Sequence, residues 1–95
     1  MGMFIAAVRV EILLYESQSL KEKRQVLKSL ITKVQNQFNV SVAEVDYLDS
    51  WRRAALGLAF VANGSVHAEK QMDRALDFID DDPRYEIINI HKEVI

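Results

Sequence analysis

Apolar and polar residues alternate over the first part of the chain. Between residues 4 and 14 every even position is apolar, from Phe4 to Leu14, whereas the odd positions include Arg9 and Glu11. A period of two is typical of a strand that buries one face. We therefore predict a strand over residues 4–14 with its even positions in a core.

The spacing changes to that of a helix after Ser19. Ser19 and Glu22 fit a capping box, in which two side chains satisfy backbone N–H groups of the first turn. An apolar stripe then recurs at helical spacing. Its members are Leu20, Leu27, Leu30, Ile31, Val34 and Phe38. These signals predict a first helix over about 19–37.

Two strands, a second helix and a last strand follow. Residues 40–46 are rich in β-branched side chains and 54–62 alternate again, so the polar loop of about seven residues between them predicts a hairpin. Asn63-Gly-Ser65 has turn and cap chemistry, and the apolar positions after it predict a helix that ends before Pro83. Residues 85–94 read as a strand.

The resulting order, βαββαβ, predicts a single α+β domain over residues 1–95 with a ferredoxin-like sandwich fold. Two right-handed βαβ crossovers give a four-stranded antiparallel sheet in the order 4-1-3-2 with both helices on one face. With the first strand pointing up, the start of helix one, the 47–53 loop and the end of helix two meet at one end of the sandwich, called the upper pole below.

Composition narrows the classes of protein. A chain of 95 residues with 49% hydrophobic residues can bury a small core. It has no cysteine, which excludes disulfides and thiolate chemistry and is typical of a reducing cytoplasm, where we expect this protein. The apolar run over residues 3–8 is too short for a signal peptide or a membrane span, so we expect a soluble protein without a membrane partner.

The acidic and imidazole side chains do not form a recognisable catalytic pattern. Glu11, Glu44 and Asp46 belong to separate strand positions, and His67 and His91 read as ordinary surface or edge residues. No glycine-rich phosphate loop, nucleophile elbow or metal-ligand spacing occurs in the sequence. We therefore expect no enzyme activity, no catalytic residues, no metal and no cofactor.

Charge is distributed unevenly, although the net charge is only −2. Residues 19–38 carry five basic side chains against one acidic, and residues 65–82 carry two basic against six acidic. Cations at a helix N-terminus and carboxylates at a C-terminus are both unfavourable for the helix dipole. Because the fold brings both clusters to the upper pole, one interpretation is an internal rim of salt bridges. Lys21, Lys23 and Arg24 would then pair with Asp46, Asp49 or Asp80-Asp-Asp82.

The alternative interpretation is an anion or RNA site at the upper pole. Cations that attract a phosphate backbone, together with an aromatic ring on which a base can stack, are the minimum that single-strand binding requires. The candidate residues are Lys21, Lys23, Arg24, Trp51, Arg52 and Arg53. Trp51 could equally close over the end of the core.

The sheet face that carries no helices, called the free face below, has small apolar side chains. Its predicted members are Ala7, Ala55, Gly57, Ala59, Val61 and Ile87. Such a face is too apolar to remain exposed to solvent and too flat to form a pocket. This favours coverage by another protein surface or by a second copy of the chain. Antiparallel sheets also tolerate some exposed alanine and valine.

Four segments of the chain are characteristic, namely Ser19-Leu-Lys-Glu-Lys-Arg24, Phe38-Asn-Val-Ser-Val-Ala-Glu-Val-Asp46, Asp49-Ser-Trp51 and Leu56-Gly-Leu-Ala59. Together they resemble the YlxP-like family of small bacterial proteins of unknown function. The resemblance extends over nearly the whole chain and implies a ferredoxin-like fold. Family members are often encoded beside translation-initiation and ribosome-maturation factors, which implies a role near RNA or the ribosome, and no catalytic residues come with it. We expect a non-enzymatic accessory protein at RNA or the translation machinery or, alternatively, a homodimeric or protein-docking module.

Overall fold

The computed structural model describes residues 2–94, and its elements follow the predicted order. The strands are β1 (Phe4–Leu14), β2 (Ser41–Asp46), β3 (Arg53–Ala62) and β4 (Tyr85–Val94), and the helices are α1 (Leu20–Gln37) and α2 (Ser65–Asp80). The capping box is confirmed. Ser19 Oγ accepts the Glu22 N–H at 3.1 Å, and Glu22 Oε2 accepts the backbone N–H of Gln18, one residue before the cap, at 2.6 Å.

The four strands form one antiparallel sheet in the order β2-β3-β1-β4. Read from the opposite edge this is the predicted order 4-1-3-2, so the ferredoxin-like arrangement is confirmed. Strands β1 and β3 pair along their length, from Phe4 opposite Ala62 to Leu13 opposite Arg53. The two central strands are therefore covered on both sides by neighbours, and β2 and β4 form the edges.

The core lies between the sheet and the two helices. From β1 it takes the even positions that the alternation predicts, namely Ala6, Val8, Val10, Ile12 and Leu14. Leu27, Leu30 and Val34 of α1 and Ala68, Met72, Ala75, Leu76 and Ile79 of α2 pack against them. Phe38 and Phe78 meet edge to face, with ring centroids 5.9 Å apart. Both helices therefore lie on one face of the sheet, and the odd positions of β1 belong to the free face.

A β-bulge in β4 changes which of its residues point toward the core. Glu11 lies opposite Asn89 but Ile12 lies opposite Ile87, so Ile88 is the extra residue. Without this extra residue, the side chain of Ile87 would point to the same side of the sheet as that of Asn89 and would belong to the free face. The bulge instead turns Ile87 toward the core, against which it packs. The prediction that Ile87 belongs to the free face is therefore wrong.

A second bulge lies in β2, the other edge strand. Glu44 is opposite Leu56 and Asp46 is opposite Ala55, which leaves Val45 as the extra residue. The Val45 side chain crosses the free face, since its Cγ1 would lie 3.0 Å from a Cβ atom built on Gly57. Regular pairing places Glu44 on the helix side of the sheet and Val45 on the free face, and the bulge turns Asp46 to the free face as well.

We predict that Ile87→Ala lowers the free energy of unfolding by about 1–2 kcal/mol, because Ile87 is partly buried against the core. Ile88→Ala is the matched control, and its exposed side chain should contribute less than about 0.5 kcal/mol. Urea denaturation of both variants beside the parent chain gives the comparison. Equal losses in the two variants would contradict the assigned bulge.

Candidate functional site

Lys23 lies inside the upper pole, although the sequence analysis grouped it with cations available to RNA. Its side chain is 0% exposed, and Nζ donates to Glu44 Oε2 at 3.0 Å and to the Tyr47 carbonyl at 2.8 Å. The carbonyl oxygens of Leu48 and Arg53 lie 3.4 and 3.3 Å from the same nitrogen. An ammonium enclosed by oxygen atoms of its own chain cannot contact an external phosphate. Lys23 therefore leaves the set of candidate nucleic-acid residues.

The position of Lys23 on α1 explains why its head group reaches the hairpin loop. Lys23 lies between Leu20 and Leu27 on the buried stripe of the helix, so its aliphatic stem enters the core. A buried ammonium requires a charged partner and further acceptors. The pairing of Glu44 with Leu56 places its carboxylate on that side of the sheet, and the loop turns backbone carbonyl groups inward. Lys23 thereby ties the first turns of α1 to the loop between β2 and β3.

Tyr47 has a left-handed backbone conformation. Its φ of 60° lies in the left-handed region, and no other non-glycine residue within 2–94 has a positive φ. The Tyr47 carbonyl is also the nearest of the oxygen atoms around Lys23 Nζ. The charged hydrogen bond to Lys23 therefore holds this residue in a conformation that its side chain disfavours.

A polar cluster covers the upper part of the free face. The Arg9 guanidinium donates to the Glu11 carboxylate and, at 2.9 Å, to Asp46 Oδ2. The Tyr47 hydroxyl lies 3.5 Å from Glu11 Oε1, and Arg53 stacks its guanidinium over the Tyr47 ring at 5.1 Å. The hydrogen bond to Glu11 raises the pKa of Arg9, with smaller contributions from Tyr47 and Asp46. The charge of Arg9 is therefore compensated within the face by two carboxylates.

The free face is smaller than the sequence predicts. Ala55 is paired in register with Glu11 and Asp46 and is 0% exposed, yet it is not part of the core beneath the helices. The polar cluster therefore covers Ala55, and the expectation that it meets a partner is wrong.

The remaining predicted residues, Ala7, Gly57, Ala59 and Val61, do lie on the free face, where Val61 is 60% exposed. Val45, which the sequence analysis missed, joins them, because it follows the inward-facing Glu44 in the alternation of β2 and its side chain lies over Gly57. Ala7, Val45, Gly57 and Ala59 line a shallow apolar hollow on this face. The alternation of β2 could have identified Val45, whereas no signal in the sequence marks the bulge that adds Asp46 to this face.

Four of the predicted RNA-contacting side chains are exposed around the upper pole. Lys21, Arg24 and Arg52 face solvent, and Trp51 is 56% exposed. Arg52 Nε also donates to the Ser17 carbonyl at 3.3 Å, which fixes the loop beside the start of α1. Trp51 does not close over the core. The indole is available to stack on a ligand.

Of two other basic residues on these elements, only Arg53 was a predicted site residue. Arg53 lies over the Tyr47 ring and so belongs to the polar cluster of the free face. Lys28, which the sequence analysis did not include, is exposed four residues after Arg24 and seven after Lys21. Residues at this spacing share one face of a helix, and this signal could have identified Lys28.

The acidic groups of the upper pole pair with other cations than those predicted. Within residues 2–94, Asp46 pairs with Arg9, and Asp82 pairs with Arg84 through Nε at 3.0 Å and Nη2 at 2.6 Å. The hydrogen bond from Arg84 lowers the pKa of Asp82 and raises that of Arg84. Lys21 and Arg24 make no salt bridge in this range. The internal salt-bridge interpretation therefore holds for Lys23 alone, with Glu44 as its acid.

Backbone hydrogen bonds join the chain segments that were predicted to share a pole. The Leu14 N–H donates to the Arg52 carbonyl at 2.7 Å, and the Tyr15 N–H donates to the Arg84 carbonyl at 3.1 Å. The end of β1 therefore lies between the hairpin loop and the turn after α2. Together with the contact of Lys23 with Tyr47, these bonds confirm the common pole.

The described chain was also inspected for metal sites and membrane spans. Between residues 2 and 94, no group of three or more histidine, cysteine, aspartate or glutamate side chains is arranged to hold a metal ion. No helix in the same range is long and apolar enough to cross a membrane.

Comparison with known proteins places the chain in a family. The family described as protein of unknown function DUF503 matches residues 5–92. The chain belongs to this family. A DUF503-like relative, the uncharacterized protein YlxP of Bacillus subtilis (strain 168), is 46% identical over 82 residues, which cover 86% of this chain and 89% of the relative. The resemblance seen in the sequence is thus confirmed, and neither description names a ligand or an activity.

In this DUF503 chain we predict that Lys23→Ala lowers the free energy of unfolding by about 3–5 kcal/mol, because it leaves Glu44 and several carbonyls without their cation. Lys21→Ala, two residues away on the exposed face, should change it by less than about 0.5 kcal/mol. Urea denaturation at neutral pH measures both.

The charge contribution to this loss can be separated from packing. Lys23→Met fills most of the lysine volume but leaves the Glu44 carboxylate unpaired, so adding Glu44→Gln should recover part of the lost stability. A Lys23→Ala variant as stable as Lys21→Ala would show that the enclosed ammonium does not hold the pole together.

Proposed function

We propose that this protein is a non-catalytic accessory protein that binds single-stranded segments of RNA, or of an RNA-containing assembly such as the translation machinery, through its upper pole. The contact residues are Lys21, Arg24, Trp51 and Arg52, extended along α1 by Lys28. The observation that carries the proposal is Trp51, a half-exposed indole on a loop that the enclosed Lys23 holds beside exposed cations.

The chemistry of these side chains matches that of a single strand. Lys21, Arg24 and Lys28 share one face of α1 and have no salt-bridge partner in the described chain, so their charges remain available to phosphates. At a rise of 1.5 Å per residue they spread charge over about 10 Å of helix. Trp51 supplies a stacking platform that tolerates any base.

The loop that carries Trp51 is held in place before any ligand arrives. Lys23 bonds the carbonyl of Tyr47, the loop hydroxyl of Ser50 accepts the Arg53 N–H at 3.1 Å, and Arg52 bonds the Ser17 carbonyl. A loop that is already ordered loses little conformational entropy when it binds. The stacking surface is therefore preorganised, which favours a binding role over that of a mobile connection.

The charge of α2 indicates the side from which the ligand would approach. Helix α2 carries exposed acids at Glu69, Asp73, Asp77 and Asp80. This surface repels a polyanion, whereas the outer face of α1 attracts it. An approach to the α1 side of the pole reconciles RNA binding with a net charge of −2.

We predict that a single-stranded RNA oligonucleotide quenches the fluorescence of Trp51, which is the only tryptophan in the sequence. Stacking on a base brings the indole into direct contact with the ligand, so a titration gives both the affinity and the identity of the contact. Lys21→Gln/Arg52→Gln should lower the affinity by about tenfold or more and reduce the slope of log K against log salt by about 1.4.

Lys70→Gln/Arg74→Gln on α2 is the matched control, because it removes the same charge from exposed positions away from the pole. It should change the affinity by less than about twofold. The proposal fails if no quenching occurs at low salt, or if both double variants lose affinity equally.

A specific feature of the free face favours a second candidate function, homodimerisation. Arg9 is neutralised by Glu11 and Asp46 within the face, which lowers the cost of removing it from water. Val45 and Val61 nevertheless remain more than half exposed on the same surface. A flat face with small side chains and a paired arginine suits a second copy of itself across a two-fold axis.

For this candidate we predict a dimer at micromolar concentration in sedimentation velocity, converted to monomer by Ala59→Glu at the centre of the face. Thr32→Glu on the exposed side of α1 adds the same charge and should leave the dimer intact. A parent chain that sediments as a monomer would eliminate the self-association.

A further inference from the structure

A cleft at the upper pole is separate from the proposed RNA surface. It lies between the β1–α1 connection, the first turns of α1 and the turn after α2, and has a volume of about 520 Å³. Its walls include Leu14, Tyr15, Glu22, Val26, Pro83 and Arg84. This volume falls within the range of roughly 300–1,000 Å³ that is typical of small-molecule sites.

The cleft has an apolar floor and fixed walls. Leu14 is buried and Val26 is half-buried at its base, whereas the Tyr15 ring is half exposed along one side. The backbone of Leu14 is bonded to Arg52 and that of Tyr15 to Arg84. The apolar surface is therefore formed without a ligand and can receive a hydrocarbon or aromatic group.

The charges around the cleft are predominantly negative. Glu16 and Glu22 both line it, and the one cation, Arg84, is already paired with Asp82 through two of its nitrogen atoms. Glu22 uses Oε2 to accept the Gln18 N–H, and within residues 2–94 its Oε1 has no hydrogen-bond donor. The negative end of the α2 dipole lies at the same turn, and its last helical turn has no basic residue. The positive end of the α1 dipole also lies at the cleft, where Glu22 in the first turn of α1 offsets it. Two carboxylates against one paired guanidinium therefore favour a cation over an anion.

We infer that this cleft binds a small organic cation, an amine with an aromatic or aliphatic body. The body would lie on Leu14, Val26 and Tyr15, and the ammonium group would contact the carboxylates of Glu22 and Glu16. The carboxylates favour a positively charged group on the ligand, and the apolar floor favours an aromatic or aliphatic body. The cleft adjoins the RNA surface at Arg52, which bonds the Ser17 carbonyl, but Arg24 and Lys28 lie on the other side of α1 from Glu22 and Val26.

The test is a titration of the ¹⁵N-labelled protein with tyramine, followed by amide chemical shifts. Two comparators keep the phenol ring and change only the charge: 4-ethylphenol is neutral, and 3-(4-hydroxyphenyl)propionate is an anion. We expect tyramine to bind in the millimolar range with shifts at Tyr15, Glu22 and Arg84. The neutral compound should bind several-fold more weakly, and the anion should cause no saturable shift.

Glu22→Gln tests the carboxylate without removing the cap, because the amide oxygen can still accept the Gln18 N–H. This substitution should lower the affinity for tyramine by roughly two- to fivefold, and Tyr15→Ala should lower the affinities for both tyramine and 4-ethylphenol. Glu69→Gln removes an equal charge from the exposed side of α2 and should have no effect. The inference is overturned if tyramine binds no better than the anion, or if Glu69→Gln weakens it as much as Glu22→Gln does.

Discussion

The enclosed ammonium group of Lys23 is the interaction on which the upper pole depends. A buried charge is stable only when it is paired and hydrogen-bonded, so the oxygen atoms around it cannot be rearranged freely. Glu44 and the carbonyls of Tyr47, Leu48 and Arg53 belong to one hairpin, and the ammonium joins them all to α1. This contact fixes the loop and therefore the positions of its exposed side chains. The proposed binding at this pole therefore depends on a residue that would not itself contact the ligand.

Tyr47 couples the two candidate surfaces physically. Its carbonyl is bound by Lys23, while its ring and hydroxyl take part in the cluster that covers Ala55 on the free face. The loop surface and the sheet surface consequently share one backbone segment, which is the one with a left-handed conformation. Changes at this residue should affect both surfaces together, so variants confined to Trp51 or Ala59 separate their roles better.

The elements and the sheet order could be predicted because their signals are local or topological. Alternation in β1, the cap at Ser19 and the stop before Pro83 each depend on a few neighbouring residues, and the handedness of the crossovers fixes the rest. The bulges could not be predicted, since one extra residue leaves the composition of a strand unchanged while it reverses the facing of Ile87. Lys23 stayed between the internal and the RNA interpretation for a related reason. Whether its head group turns inward depends on carbonyls that lie more than twenty residues away in the chain.

The two bulges also bear on how this sheet avoids uncontrolled growth. Straight edge strands present a regular row of unpaired N–H and C=O groups that can template further strands, and proteins commonly interrupt such rows. Here both edges are interrupted, β2 at Val45 and β4 at Ile88, even though β4 is ten residues long. A kinked border pairs poorly with a neighbouring chain. Fibre-like stacking through the borders is therefore discouraged, which leaves the broad surface of the sheet as the place for the proposed self-association.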